Sequence, residues 1–358
     1  MQMPVVRLVW AGKPAVRVLM ILSGIVLSNR TLSCIQTGNS TKALKALVRG
    51  IQMRYVRLAI PLTMISCISV LLLWMGAYET SRQVPGYLTH GPPKSQGNVF
   101  YDLWLAVWGG FVDLYVLGYQ PAHSSLWCMK AQLLGSYMLY GILLIYGGRA
   151  SYPWLMWIVG AAILISGNAA AARLTDAASV LFGAIVAYHM RFMNRGTETE
   201  KPMAGIVNGG LLATGLLLCS YPTFGPNTPV FHFMLNVGRI IMQYSVWGAP
   251  VEVSHQKAVA AFWHTTGACM IVFAVSKLQH RDRLFSHWIL QWAGTHSFAL
   301  FVIHPLVFWT VGAYAFFFTR QLFFSLDLLA FADPMAKLAF ALIAVPLIIV
   351  LCRQWLKL

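Results

Sequence analysis

Two polar side chains, Lys130 and Gln132, open a segment that is otherwise apolar enough to cross a membrane. A lysine at the centre of a membrane helix costs about 3 kcal/mol, and the cost falls toward the helix ends. Polar groups in such positions are therefore rare, and they mark substrate or ion pathways and proton relays. Residues 126–136, which contain this pair, are the first candidate for a site with a chemical function.

A second candidate is the pair Arg54 and Arg57, which precedes another apolar run. Residues three apart share one face of a helix, so both guanidinium groups would lie together at the end of a span. Guanidinium groups bind phosphates through paired hydrogen bonds, which suits a ligand that carries phosphate groups. The alternative is that both side chains extend to lipid headgroups and only anchor the helix. The spacing alone favours the anchor.

A third candidate is His304, which stands inside an apolar run directly before Pro305. An imidazole titrates near neutral pH, so it can take or give a proton or orient a substrate. A histidine in this setting can equally be a hydrogen-bonded core residue. His264 lies in another apolar run, and we interpret it as a core residue.

Membrane helices must position these side chains. The 358 residues are 58% hydrophobic and only 10% charged, with a mean hydropathy of +0.65. Soluble domains carry about 25% charged residues, and one span needs about 20 apolar residues. The sequence therefore predicts an all-α fold, a polytopic bundle of transmembrane helices that forms a single domain over residues 1–358. About nine spans (eight to ten) are predicted, at 15–29, 58–78, 127–146, 154–172, 174–190, 204–222, 258–276, 296–318 and 336–352.

The long connection between the second and third spans contains an aromatic segment from Phe100 to Tyr119. This segment holds the carboxylates Asp102 and Asp113 and the pair Gly109-Gly110. Carboxylates and a glycine break are poorly suited to a span, so we expect a re-entrant or interfacial helix here.

The net charge of +16 comes mainly from basic residues in short loops between the apolar runs. This is the positive-inside pattern of membrane proteins, and it argues against nucleic-acid binding. The pattern places the amino terminus in the lumen, so the amino-terminal tail before the first span, to which we assign Arg7, Lys13 and Arg17, would have to lie there too. Because cations oppose translocation, we expect a further helix upstream of residue 1. The six dispersed cysteines predict neither a metal site nor a disulfide framework.

Five short stretches match the order of motifs in one known family. They are 16–29 with Ser23-Gly24, 54–61 with Arg54, Arg57 and Pro61, 126–136 with Leu126, Trp127, Gly135 and Ser136, 181–187 with Gly183, and 290–305 with Gly294, Ser297 and His304. Together they resemble the acyltransferase-3 family of integral membrane acyltransferases, in the branch common in filamentous fungi. Gln132 stands where that family carries a glutamate, and Phe301 stands where it carries a tyrosine.

The resemblance implies transfer of an acyl group, acetyl in our expectation, from acyl-CoA to a hydroxyl of a carbohydrate, lipid or secondary metabolite. It implies that Arg54 and Arg57 bind the donor and that His304 and Gln132 are the catalytic residues. No tightly bound cofactor and no metal is expected. The family's first helix, with an arginine and a catalytic histidine, has no counterpart in residues 1–358.

Two alternatives remain open. A carboxamide cannot take up a proton as a carboxylate can, so Gln132 favours a catalytically degenerate family member that serves as a membrane scaffold. A transporter for a small anionic metabolite would show inverted repeats and broken helices, which we do not find in the sequence. In each case the expected location is a multi-pass position in the lipid bilayer of an endomembrane or the plasma membrane.

Overall fold

A computed structural model gives the fold of the chain. It describes residues 12–84, 94–113, 127–146, 171–193, 202–222, 228–243, 254–278, 286–326 and 328–355. Within these ranges every regular element is a helix and there is no strand, which confirms the all-helical class.

The described helices are numbered in chain order. They are α1 (Gly12–Gln36), α2 (Ser40–Trp74), α3 (Glu79–Gln83), α4 (Val99–Trp108), α5 (Trp127–Tyr146), α6 (Ala171–Tyr188), α7 (Pro202–Cys219), α8 (Pro229–Gln243), α9 (Ser254–Ser276), α10 (Trp288–Val307), α11 (Ala313–Ser325) and α12 (Leu329–Trp355). Single π-helical turns follow α4 (Gly109–Asp113), α6 (His189–Met193) and α10 (Phe308–Gly312).

Five helical stretches of the described chain are long and apolar enough to cross a membrane. They are Gly12–Gln36, Ser40–Trp74, Ala258–Ser276, Trp288–Ser325 and Phe331–Trp355, and each contains or overlaps a predicted span. These helices are compatible with a multi-pass membrane protein.

The other four predicted spans have different outcomes. Residues 127–146 form α5, whereas 174–190 and 204–222 overlap the shorter apolar helices Ala177–Phe192 and Gly205–Cys219. The span at 154–172 lies outside the described residues, except for its last two positions. The number of about nine spans therefore stays a prediction.

Local signals explain the sharp connection between α1 and α2. Gly38 adopts a φ of 69°, a left-handed conformation that glycine takes without a steric penalty, so it ends α1. Asn39 then caps α2, because its Oδ1 accepts a hydrogen bond from the backbone N–H of Lys42 at 3.0 Å.

The helices group into two compact units. Unit 1 comprises Met1–Tyr55 and Ala131–Asp282, and unit 2 comprises Val56–Lys130 and Arg283–Leu358. The assignment of residues 1–358 to a single acyltransferase-like domain stays a prediction.

Glycines bring the helix backbones of unit 1 into direct contact. A Cβ on Gly24 of α1 would overlap the carbonyl oxygen of Val180, and a Cβ on Gly183 of α6 would overlap that of Ile21. Between α7 and α9, a Cβ on Gly267 would lie 2.7 Å from the carbonyl oxygen of Gly215. These helix pairs can therefore pack this closely only with glycine at the contact.

In unit 2 the predicted interfacial segment is a short helix with two unlike faces. The buried Asp102 carboxylate accepts hydrogen bonds from Trp74 Nε1 at 3.0 Å, Ser95 Oγ at 2.8 Å and the Gln96 backbone N–H at 3.0 Å. On the other face, Phe100 is 80% exposed. Its position relative to a membrane stays a prediction.

We expected Gly109-Gly110 to break this helix, but the chain continues in a π-helical turn to Asp113. The glycine serves close packing instead, since a Cβ on Gly110 would overlap the Thr63 hydroxyl. A missing side chain at this position allows α4 to approach α2 without ending the helix.

Candidate functional site

Four polar side chains from three helices of unit 1 meet at one point. Arg54 on α2 donates from Nη2 to Ser23 Oγ on α1 at 2.9 Å and from Nε to Ser136 Oγ on α5 at 3.2 Å. Gln132 on α5 donates from Nε2 to Ser23 Oγ at 3.4 Å. We call Ser23, Arg54, Gln132 and Ser136 the Ser23 cluster.

Glycines beside the two serines position the Ser23 cluster. Gly24 follows Ser23 and brings α1 against α6, as described above. Gly135 precedes Ser136, and a Cβ there would lie 2.7 Å from the carbonyl oxygen of Ala177 on α6. Since α1 and α5 both pack tightly on α6 at these glycines, their two serines are held in fixed register.

A second contact aligns α2 with α5 one turn away. A Cβ on Gly50 would lie 2.9 Å from Tyr140 Oη, so the glycine on α2 leaves room for the tip of the Tyr140 side chain from α5. Arg54 lies one turn after Gly50, and Ser136 lies one turn before Tyr140, as expected for two helices that run in opposite directions. The hydrogen bond between Arg54 and Ser136 therefore follows from how these helices pack.

The Ser23 cluster is rich in hydrogen-bond donors. Ser136 is fully buried, whereas Ser23, Arg54 and Gln132 are half-buried. Ser136 Oγ donates its own proton to the backbone carbonyl of Gln132 at 2.6 Å, which orients the Ser136 oxygen toward Arg54. Two N–H groups, one of them charged, thus converge on Ser23 Oγ. Such an arrangement can stabilise negative charge on an oxygen atom.

The structure brings two of the four predicted site residues together, Arg54 and Gln132. Arg57 lies on the same helix as Arg54, but its side chain is exposed. Arg57 and His304 belong to unit 2.

His304 is half-buried on α10, with its ring near those of Phe301 and Phe308. Nδ1 lies 3.1 Å from the backbone carbonyl of Leu300. Because a carbonyl oxygen only accepts hydrogen bonds, Nδ1 carries the proton and Nε2 keeps its lone pair. The ring can therefore act as a base through Nε2, and its catalytic role stays a prediction.

Sequence reasoning missed a second polar cluster in unit 1. Arg17 was expected near the start of the first span, in the tail, but it lies inside α1 and is only 3% exposed. Hydrogen bonds offset the cost of burying this charge. Arg17 Nε donates to Thr265 Oγ1 at 3.0 Å, and Nη1 lies 3.5 Å from His264 Nδ1 and 3.4 Å from the backbone carbonyl of Lys13. We call Arg17, His264 and Thr265 the Arg17 cluster.

His264 is a buried residue, as interpreted, and its contacts fix its protonation. Nε2 lies 2.8 Å from the backbone carbonyl of Tyr221, so this nitrogen carries the proton. Nδ1 is then the acceptor that faces Arg17. The one sequence signal for the Arg17 cluster was an arginine near the start of one apolar run, together with a histidine and a threonine inside another apolar run.

Comparison with known proteins gives one similarity. The chain is 28% identical over 97 residues to a protein of Cochliobolus lunatus named Acyltransferase clz18. The match covers 26% of this chain and 17% of that relative, so the chain spans less than a fifth of the relative's length. No protein-family model matches the chain, and no solved structure matches it. The similarity supports a general acyltransferase relationship.

Proposed function

We propose that this chain is a membrane acyltransferase of the acyltransferase-3 type. It transfers an acyl group, acetyl in the first instance, from acyl-CoA to a hydroxyl of a carbohydrate, lipid or secondary metabolite in the lipid bilayer of an endomembrane or the plasma membrane. Support comes from the similarity to a named acyltransferase, from the five motifs in order and from the five long apolar helices.

The observation that carries the proposal is the Ser23 cluster. Acyl transfer from a thioester places negative charge on the carbonyl oxygen and needs a group that takes the hydroxyl proton. Arg54 provides positive charge and N–H donors in a half-buried site, where they act more strongly than in water.

The resemblance also implies roles for two residues of unit 2, beside the share that it gives Arg54 in binding the donor. Arg57, exposed on the helix that carries Arg54, binds a phosphate of the CoA donor. His304 takes the proton of the acceptor hydroxyl on Nε2, the nitrogen that its bond to Leu300 leaves with a lone pair.

One observation favours a second function. The side chain at position 132 is a carboxamide, which cannot act as a base, and each member of the Ser23 cluster is hydrogen-bonded to two others. In a catalytically degenerate scaffold, the same contacts would only tie α1, α2 and α5 together.

Transfer by the purified full chain separates these two functions. The protein is reconstituted in lipid nanodiscs with acetyl-CoA and a panel of carbohydrate, sterol and phenolic alcohols. Released CoA thiol is followed colorimetrically, and each acceptor is examined for the mass of one added acetyl group. We expect CoA release above that of protein-free nanodiscs, together with one acetylated acceptor. No release with acetyl-CoA or longer acyl donors from folded protein would instead favour the scaffold.

A further inference from the structure

We propose that Arg54 and Gln132 form the oxyanion-binding pair of this site, and that Ser23 Oγ occupies the position of the substrate's carbonyl oxygen while the site is empty. This inference rests on the proposed acyl transfer. It assigns a donor role to Gln132, the residue whose carboxamide is least compatible with a role as a base.

The geometry around Ser23 Oγ resembles that of an oxyanion site, because two N–H donors converge on one oxygen. Arg54 Nη2 and Gln132 Nε2 approach the same oxygen, at 2.9 Å and 3.4 Å, from different helices. Oxyanion donors lie about 2.7–3.1 Å from the charged oxygen. The bond from Gln132 is longer than this in the resting state, and catalytic hydrogen bonds commonly shorten only when the substrate is bound.

A carboxamide suits this role better than a carboxylate. Gln132 presents N–H donors at every pH, whereas a glutamate at this position would present only acceptors when ionised. A glutamate would also pair with Arg54 and direct the guanidinium away from a negatively charged oxygen. The amide therefore leaves both donors directed at Ser23 Oγ.

The two serines of the cluster have different roles. Ser136 is fully buried, donates to the backbone carbonyl of Gln132 and accepts from Arg54 Nε, so it positions the guanidinium. Ser23 is half-buried and accepts both donors, and rotation about one bond moves its hydroxyl aside. Ser23 Oγ is thus the atom that a substrate oxygen can replace.

The transfer step then balances without a further reactant. The acceptor hydroxyl oxygen attacks the thioester carbon, and the carbonyl electron pair moves onto the oxygen held by Arg54 and Gln132. Collapse of this intermediate restores the carbonyl and breaks the carbon–sulfur bond. The CoA thiolate leaves and receives the proton that the acceptor hydroxyl lost, so the products are an ester and free CoA.

Kinetics of four variants in nanodiscs test the assignment. Gln132→Ala should lower kcat for acetyl transfer by about 100- to 1,000-fold, the effect of removing one oxyanion donor, with little change in KM for acetyl-CoA. Gln132→Glu should lower kcat at least as far.

Ser23→Ala should raise kcat by about 2- to 10-fold, a factor equivalent to one net hydrogen bond, because neither donor then has to leave the Ser23 oxygen before substrate binds. Ser28→Ala is the matched control, since Ser28 is a buried serine on α1 whose hydroxyl bonds only carbonyls of its own helix in the contacts described.

Gln132→Met keeps the length of the side chain without its donors, and it replaces Gln132→Ala if the latter does not elute as a folded monodisperse protein. If either folded variant, Gln132→Ala or Gln132→Met, has the kcat of the wild type, the proposed oxyanion role is overturned. The proposed acyl transfer is not affected by that result. Loss of activity in Ser23→Ala, with an acetyl group on Ser23 of the wild type by mass spectrometry, would also overturn the oxyanion role and make Ser23 a nucleophile. An inactive wild-type chain would overturn the proposed function, and this assignment with it.

Discussion

Two arginines of unit 1 are held by hydroxyl groups, but their surroundings differ. Arg17 is 3% exposed, and its partners Thr265 and His264 are 0% and 2% exposed. Arg54 is half-buried, and so are Ser23 and Gln132 beside it. The same kind of contact thus occurs once among fully buried side chains and once among side chains that stay partly exposed. A role in chemistry for an arginine among apolar helices therefore depends on the exposure of its partners as well as on its own charge.

The Arg17 cluster should contribute to stability and have little direct effect on the reaction. Arg17→Ala removes the donors that Thr265 and His264 face and leaves a cavity, so we expect a loss of about 3 kcal/mol of folding free energy. Thermal unfolding in detergent measures this loss. Activity per folded molecule, assayed at low temperature, should remain near that of the wild type. A stable Arg17→Ala protein with a strongly reduced kcat would reverse the roles of the two clusters.

Substitution of Gly24 tests whether the close packing of α1 on α6 holds the Ser23 cluster in place. Gly24→Ala places a Cβ against the carbonyl oxygen of Val180, and the helices must separate at a cost of about 1–3 kcal/mol. Because Ser23 is the adjacent residue, kcat should fall together with the unfolding temperature. Gly141→Ala is the control, since nothing lies within 4 Å of its Cβ, and it should be neutral or slightly stabilising. Equal stability of the two variants would argue against this tight contact.

The smallest effect is expected at Arg57. Solvent screens an exposed guanidinium, so Arg57→Ala should weaken acetyl-CoA binding by about threefold to tenfold and leave kcat unchanged. KM for acetyl-CoA at low and high salt measures the effect, which should shrink as salt is added. If KM is the same as in the wild type at low salt, Arg57 is only an anchor at the lipid surface.

The sequence predicted the helices better than it predicted the contacts between them. Apolar runs identify the helices directly, because one span needs a continuous apolar segment. The contact from Arg54 to Ser136 joins positions 82 residues apart, and that from Arg17 to Thr265 joins positions 248 residues apart. Such pairs depend on which helices pack together. Close contacts at glycines decide this packing, and the periodicity of apolar residues does not reveal them.

The resemblance to a family directed attention to some residues and away from others. It singled out Arg54 and Gln132, which meet around Ser23. It included Ser23-Gly24 and Gly135-Ser136 only as residues that match the motifs, with no role assigned to them. It gave no weight to Arg17, and the charge pattern assigned that residue to the tail. A cation beside the start of an apolar run fits a loop and a buried position equally well, so the error could be found only in the fold.

The most direct test of the central claim, that the Ser23 cluster performs acyl transfer, is the rate of CoA release per folded molecule by Arg54→Ala beside Arg49→Ala. Arg49 is an exposed arginine on the same helix and controls for the loss of one positive charge. The account predicts that Arg54→Ala lowers kcat by at least about 100-fold, whereas Arg49→Ala keeps the wild-type rate. Wild-type kcat in folded Arg54→Ala would contradict it.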